Sequence, residues 1–318
     1  MDDKKRMDRR GFLKTSAALS AGAGLAQSIE ERNLFAHAAG NAAPDDAQPQ
    51  EGLPRGKLGD CEVSRLIAGG NLISGHAHSR DLVYVSSLIR NYHTDEKICE
   101  TLQLCEENGI NTVQIRVDEN TMRIIRKYLD EWGGNIQWMA QIIQIPRDID
   151  WAIDNGAMAL YYQGVQSDRA VEEDRLEDID SALTRMKMHG VPSGVGAHKL
   201  PTIKACEETA MGADFYMKTM HPHDYWSSEH EEPRDFFSVF DPEPDELLEF
   251  IRTVEKPWIG FKVLAAGAIR PEDGFKYAFE NGADFIDVGM FDFQVAQNAR
   301  IARDVLNGGL QRERPWMA

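Results

Sequence analysis

A chain of 318 residues accommodates one large domain or two ordinary ones, because single hydrophobic cores stop growing at roughly 250 to 300 residues. With 42% hydrophobic and 27% charged residues the composition is that of a soluble globular protein, and 52 acidic against 35 basic side chains give a net charge of -17. That charge repels polyphosphate and supplies no counterion release, which excludes nucleic acid and anionic membrane surfaces as expected partners. The four cysteines (Cys61, Cys99, Cys105, Cys206) lack CxxC spacing and are too few for a disulfide scaffold or a thiolate zinc site, so buried thiols are expected.

Residues 1–30 carry Lys4, Lys5 and Arg6, then Arg9-Arg10-Gly11-Phe12-Leu13-Lys14, then a run of small, weakly apolar residues. This stretch resembles a bacterial twin-arginine (Tat) signal peptide. The resemblance implies a folded cargo, the Tat translocon as partner during export, and a periplasmic or secreted protein. The apolar run is shorter than the roughly 20 residues that span a bilayer, so no stable membrane anchor is expected. Residues 31–52 read as a linker, rich in Ala, Pro, Asp and Gln without periodicity from residue 38 on.

From residue 64 short apolar runs alternate with longer amphipathic ones. The apolar runs are Arg65 to Gly70, Thr112 to Val117, Ile136 to Ile143, Ala157 to Gln163, Ser193 to His198, Asp214 to Met220, Ile259 to Ala266 and Phe285 to Met290. Helix-period segments follow them, beginning with Asp95 to Asn108 and ending with Val295 to Leu306, and Xaa-Gly pairs such as Asn108-Gly109 and Asn281-Gly282 close several. Eight strand and helix pairs predict one (β/α)8 TIM barrel over residues 53–318, with a doubly wound open sheet as the rival. Chemistry in such barrels lies at the C-terminal strand ends. Two loops there are long: Asn71 to Thr94, with His76, His78, Arg80, Asp81, Tyr84, Arg90, Tyr92 and His93, and His221 to Asp241, with His223, Asp224, Tyr225, Trp226 and His230.

The opening LPRGKLGDCEVSRLIAGGN, followed by DEKICETLQLCEENGINTVQIR, resembles the start of an aldo-keto reductase over residues 53–117. That resemblance implies an Asp and a Tyr after strand two, a Lys ending strand three and a His ending strand four. The matching stretches read Val113-Gln114-Ile115-Arg116, Met139-Ala140-Gln141 and Tyr161-Tyr162-Gln163. The catalytic tetrad is therefore absent, and NADP is not an expected cofactor. Gln114, Arg116, Gln141 and Gln163 are instead expected to ring the pocket as hydrogen-bonding groups for an oxygen-rich, sugar-like ligand, or else to satisfy one another.

Strand six holds Lys218 and strand seven Lys262, each inside an apolar run. The stretch 213–290 is similar to deoxyribose-phosphate aldolase, whose strands six and seven each carry a lysine before a glycine-rich turn. The similarity implies a Schiff-base lyase in which Lys218 forms the imine, Lys262 lowers its pKa by charge repulsion, and no cofactor is required. Such aldolases also place an Asp on strand four; ALYYQG has none, which makes His198 the candidate proton carrier. Gly267, Ala268 and Gly289 follow strands seven and eight, where barrels bind anions or sugar hydroxyls through backbone N–H groups.

Two further readings stay open. His76 and His78 follow strand one, His198 ends strand five, His221 follows strand six and Asp292 follows strand eight; together they could hold a divalent metal, as the HxH of amidohydrolases does, giving a metal-dependent hydrolase or isomerase. A barrel without the tetrad could also be a reductase-like oxidoreductase or a non-catalytic carbohydrate-binding protein, with Tyr84, Tyr92 and Trp226 as stacking faces.

Overall fold

The computed structural model describes residues 52–79, 82–225, 228 and 243–318. The export signal, nearly all of the linker, Arg80, Asp81, Trp226, His230 and Asp241 lie outside the described residues. An antiparallel hairpin, β1 (Arg55–Leu58) and β2 (Cys61–Ser64), precedes a closed barrel. The barrel strands are β3 (Leu66–Gly69), β4 (Thr112–Arg116), β5 (Gln137–Ile142), β6 (Ala159–Tyr162), β7 (Ser193–Ala197), β8 (Phe215–Thr219), β9 (Trp258–Phe261) and β10 (Phe285–Val288). They are parallel neighbours in chain order, and β10 closes on β3. The expected (β/α)8 barrel is thus the fold, and the open sheet is excluded.

The first long loop contains a short helix, α1 (Gly70–Ile73), and a longer one, α2 (Val85–Tyr92), ahead of α3 (Asp95–Glu107). The outer ring continues with α4 (Glu119–Arg126), extended by a π-helical turn to Glu131, then α5 (Arg147–Asp154), α6 (Gly164–Glu172) and α7 (Leu176–Lys187). It closes with α8 (Leu200–Glu208), α9 (Pro244–Ile251), α10 (Pro271–Glu280) and α11 (Asp292–Asn307). The helix α6 was not expected, because its GVQSDRAVE lacks a clean apolar stripe. Gly109 (φ 85°) and Gly282 (φ 115°) take the left-handed conformation that ends α3 and α10 and that a side chain would resist.

Alternation along each strand separates two cores. Ile67, Met139, Tyr161, Phe215, Met217, Ile259 and Phe285 point into the barrel and form a plug with Leu58 and Val63 of the hairpin. Trp138, Ala140, Ala197, Tyr216, Trp258 and Ile286 point outward into the layer beneath the helices. Each fully buried large apolar side chain contributes roughly 1.5–3 kcal/mol, which makes these two layers the main source of stability. At the N-terminal end the fully buried Asp284 accepts hydrogen bonds from Arg312 (3.0 Å), Arg314 (2.8 Å) and the backbone N–H groups of Trp258 and Met317. Trp316 lies between the guanidinium groups of Arg65 and Arg312, 3.8 and 4.0 Å from its ring centre. Arg312 and Arg314 share this one buried carboxylate, and with the Met317 N–H it ties the C-terminal segment to the barrel. Three cysteines are buried free thiols; Cys61, on the hairpin, is half-buried.

Candidate functional site

Above the plug, inward residues at the C-terminal strand ends and the α1–α2 segment enclose a cavity of about 270 Å³. Gln114 and Arg116 of β4, Gln141 of β5, Tyr161 of β6 and Gln163 just after it line one side. The Gln141 Nε2 donates to the Tyr161 hydroxyl at 2.7 Å, and Gln163 Nε2 donates to Gln141 Oε1 at 3.4 Å. These carboxamides therefore satisfy one another in part while facing the cavity. The Arg116 Nε is buried without a hydrogen-bond partner.

His198, one residue past β7, also lines the cavity, beside Phe261, with their rings 5.4 Å apart. Its Nδ1 is 3.0 Å from Asp168 Oδ2. A carboxylate can only accept, so Nδ1 carries the proton and Nε2 is left as an acceptor toward the cavity. Burial lowers the His198 pKa and the Asp168 hydrogen bond opposes it, so the ring is neutral near pH 7. Asp168 sits on α6 and is nearly fully buried; it also accepts from the His198 and Lys199 N–H groups (2.9 and 3.3 Å) and from Thr202 Oγ1 (2.7 Å). One carboxylate thus fixes both the imidazole and the start of α8.

Asp287 of β10 also lines the cavity, at inward parity with Phe285 and in register with Phe261 and Ile67. Its Oδ1 is buried with no hydrogen-bond partner, and burial raises its pKa to about 8. Tyr161 feels the same surroundings: burial first, then the charge of Asp287, push its phenol well above the usual range. Lys262 follows β9 and lines the cavity from a left-handed backbone (φ 57°), which ends the strand one residue past Phe261. Ala265 (φ 44°) and Ala266 (φ 56°) are also left-handed, so the expected strand seven is replaced after Phe261 by a tight turn.

Lys218 is not at this site. Its register partners are Ala197 and Gly260, and an added Cβ at Gly260 would meet Val263, Ala283 and Met220 of the outer layer. It shares the face of Tyr216 and is fully buried there, its Nζ donating to the Thr219 hydroxyl (2.8 Å) and carbonyl (3.2 Å). The expectation of an inward Lys218 beside Lys262 is corrected by this parity. The expected metal ligands do not converge either. His76 and His78 line the cavity, whereas His221 is buried with Nδ1 3.0 Å from the Pro222 carbonyl, and burial lowers its pKa to about 4. Asp292 accepts from the Tyr92 hydroxyl (2.6 Å) and Lys97 Nζ (3.0 Å). Among the described residues no three His, Cys, Asp or Glu side chains come together as a metal site.

A second cavity of about 330 Å³ adjoins the first over β9 and β10; Gly267 and Gly289 line it, and Ala266 does so where Ala268 does not. A wider groove of about 700 Å³ is lined by residues of α3, α4, the π-helical turn and α5, among them Asp95, Arg123, Lys127 and Trp151, and shares no residue with the two cavities. Asp287, Asp168 and Tyr161 were missed by sequence reasoning; the signal for Asp287 was a lone carboxylate inside the apolar run Phe285-Ile286-Asp287-Val288.

No family profile and no curated protein matches the sequence. Solved structures do match in fold. A Pseudomonas aeruginosa protein assigned as an aldo-keto reductase aligns over 81% of this chain and 98% of its own, with a TM-score of 0.57 and 16% identity. An aldo-keto reductase from Bacillus halodurans, in its holo form, aligns over 80% and 96%, with a TM-score of 0.55 and 11% identity. The barrel is therefore similar in fold to these aldo-keto reductases. A 4-hydroxy-2-oxoglutarate aldolase aligns with a TM-score of only 0.44.

Proposed function

We propose that this barrel is an enzyme that moves a proton next to the carbonyl of a small polyhydroxylated substrate, in a lyase or isomerase reaction. The observation that carries this reading is an imidazole oriented by a buried carboxylate, His198 on Asp168, opening onto a cavity that also holds Asp287 with its raised pKa. Two acid-base groups with displaced pKa values in one cleft are what such chemistry requires. His198 Nε2 takes the proton from the carbon beside the carbonyl, and the released electron pair moves to the carbonyl oxygen. Asp287, still protonated near neutral pH, gives its proton to that oxygen or to a leaving hydroxyl. Lys262 holds that oxygen as an ammonium; in the alternative route its amine condenses with the carbonyl, the oxygen leaves as water, and the electron pair moves to the iminium nitrogen instead, a role closed to Lys218 on the outer face. Gln114, Gln141, Gln163 and Arg116 hold the hydroxyl groups. No metal or nicotinamide enters the scheme.

Incubation with aldoses, ketoses and sugar acids in D2O tests this: the wild type is expected to wash deuterium into one carbon of its substrate. His198→Asn and Asp287→Asn are each expected to slow this at least about 100-fold. Equal exchange in wild type and both variants would refute the proposal.

Export through residues 1–30 belongs to the same proposal, supported by the Arg9-Arg10 pair and the small-residue run that follows. Changing both arginines to lysine is expected to leave an uncleaved precursor in the cytoplasm.

A further inference from the structure

The two cavities at the barrel mouth are not separate sites, since Asn71, His78, Phe261, Lys262 and Asp287 line both. On one side of this junction stand carboxamides, Arg116 and His198. On the other, Leu72, Val85, Leu88, Ile89, Val263 and Leu264 form the wall, and among the described residues it has no charged side chain outside the junction. Val85, Leu88 and Ile89 fall at i, i+3 and i+4, one face of α2. That helix is held in place: Ser86 Oγ donates to the Ala77 carbonyl (3.0 Å), Tyr92 donates to Asp292, and His93 stacks on Phe291 with ring centres 5.4 Å apart. Each lobe alone is near the small end of ligand clefts, which run about 300–1,000 Å³.

We infer that the substrate is a two-part molecule: a hydroxylated head in the polar lobe bearing an apolar aryl or alkyl group that occupies the second lobe. This rests on the function proposed above and adds the substituent. The junction residues include both Lys262 and Asp287, so the reacting carbon lies where head and apolar group join. A polyanionic occupant is disfavoured, because among the described residues lining the second lobe Lys262 is the one lysine or arginine.

The test is calorimetric binding of methyl, butyl, hexyl and phenyl β-glucosides, galactosides and glucuronides to the full chain, alongside NADPH. Within the head group that binds best, affinity is expected to rise about fourfold per added methylene until the lobe is full. The phenyl member is expected to exceed the butyl. Leu88→Asn, at a rim position already 59% exposed and therefore safe for folding, is expected to flatten the rise. A flat series in the wild type, with measurable binding of the methyl member, would overturn the inference and leave the proposed function standing. Binding of NADPH with no binding by any glycoside would overturn both.

Discussion

Asp287 gives the strictest test of the site, because its environment makes a stability prediction independent of any substrate. Burial raises its pKa to about 8, against about 3.9 in an unfolded chain. Between those values the folded protein holds one proton more than the unfolded one, so stability falls as pH rises, by up to about 1.4 kcal/mol per pH unit. From pH 5 to pH 8 full exclusion of water would give about 4 kcal/mol; because the residue lines an open cavity, about 2 kcal/mol is expected. The Asp287→Asn variant keeps the shape and cannot ionise, so it lacks this decline. Urea unfolding at pH 5, 6.5 and 8 and constant ionic strength measures it. The variant should gain on the wild type by about 2 kcal/mol between pH 5 and pH 8. The acid side is an internal control: burial lowers the pKa of His93, His198 and His221, so the unfolded chain takes up protons first and stability is lost as pH falls below about 6.5 in both proteins. Wild type and variant curves that stay parallel from pH 5 to pH 8 would refute the picture of a buried, protonated carboxyl.

Asp168→Asn should slow deuterium exchange by about 100-fold or more through loss of the imidazole tautomer, and lower stability by about 1–3 kcal/mol through weakened support of α8, which paired kinetic and unfolding measurements would separate. If the reaction passes through an imine, borohydride with substrate should label Lys262 in the wild type and in Lys218→Arg, and nothing in Lys262→Arg; peptide mass mapping reads this directly. Arg314→Met should cost about 3 kcal/mol in unfolding free energy, because Asp284 stays fully buried with one of its two guanidinium partners removed. Gly70→Ala should destabilise by about 3 kcal/mol or prevent folding, since the added carbon would lie 2.1 Å from the Gln114 carbonyl oxygen.

The barrel was legible because its signals are local and repeated. Eight apolar runs, each followed by a 3.6-period segment and several closed by Xaa-Gly, leave few alternatives, and all eight barrel strands fall within one residue of the runs or inside them. Of the cavity lining, Gln114, Arg116, Gln141, Gln163, His198 and Lys262 were also legible as polar residues near the C-terminal ends of strands, the end where barrel sites lie, although which face each one takes depends on parity. Asp168 was not, since nothing in GVQSDRAVE says that α6 will carry its fifth residue under the His198 ring. Partnerships across thirty residues are made by the packing of α6 on β7, which periodicity does not encode.

Lys218 and Asp287 show where sequence reasoning divides. Both are single charged residues inside short apolar strands, and the cost of burying a charge applies equally to both. What separates them is parity. Counting from Phe215 and Phe285, which both enter the plug, Lys218 is three residues on and points outward, whereas Asp287 is two residues on and points into the cavity. In a strand buried on both faces the hydrophobic pattern does not mark which residues are inward, so parity is hidden until the register is fixed. It becomes visible through the small residues: Gly194 and Gly196 take the inward positions of β7, where an added carbon would strike the Phe215 ring at 2.5 Å and the Gly164 nitrogen at 2.9 Å. The glycines of SGVGA therefore set the inward phase of β7, and through its register with β8 they place Met217 in the cavity and Lys218 behind it. The amine available to a substrate is then the one after β9, where the left-handed turn at Lys262 takes the chain out of strand alternation and brings its side chain to the cavity wall.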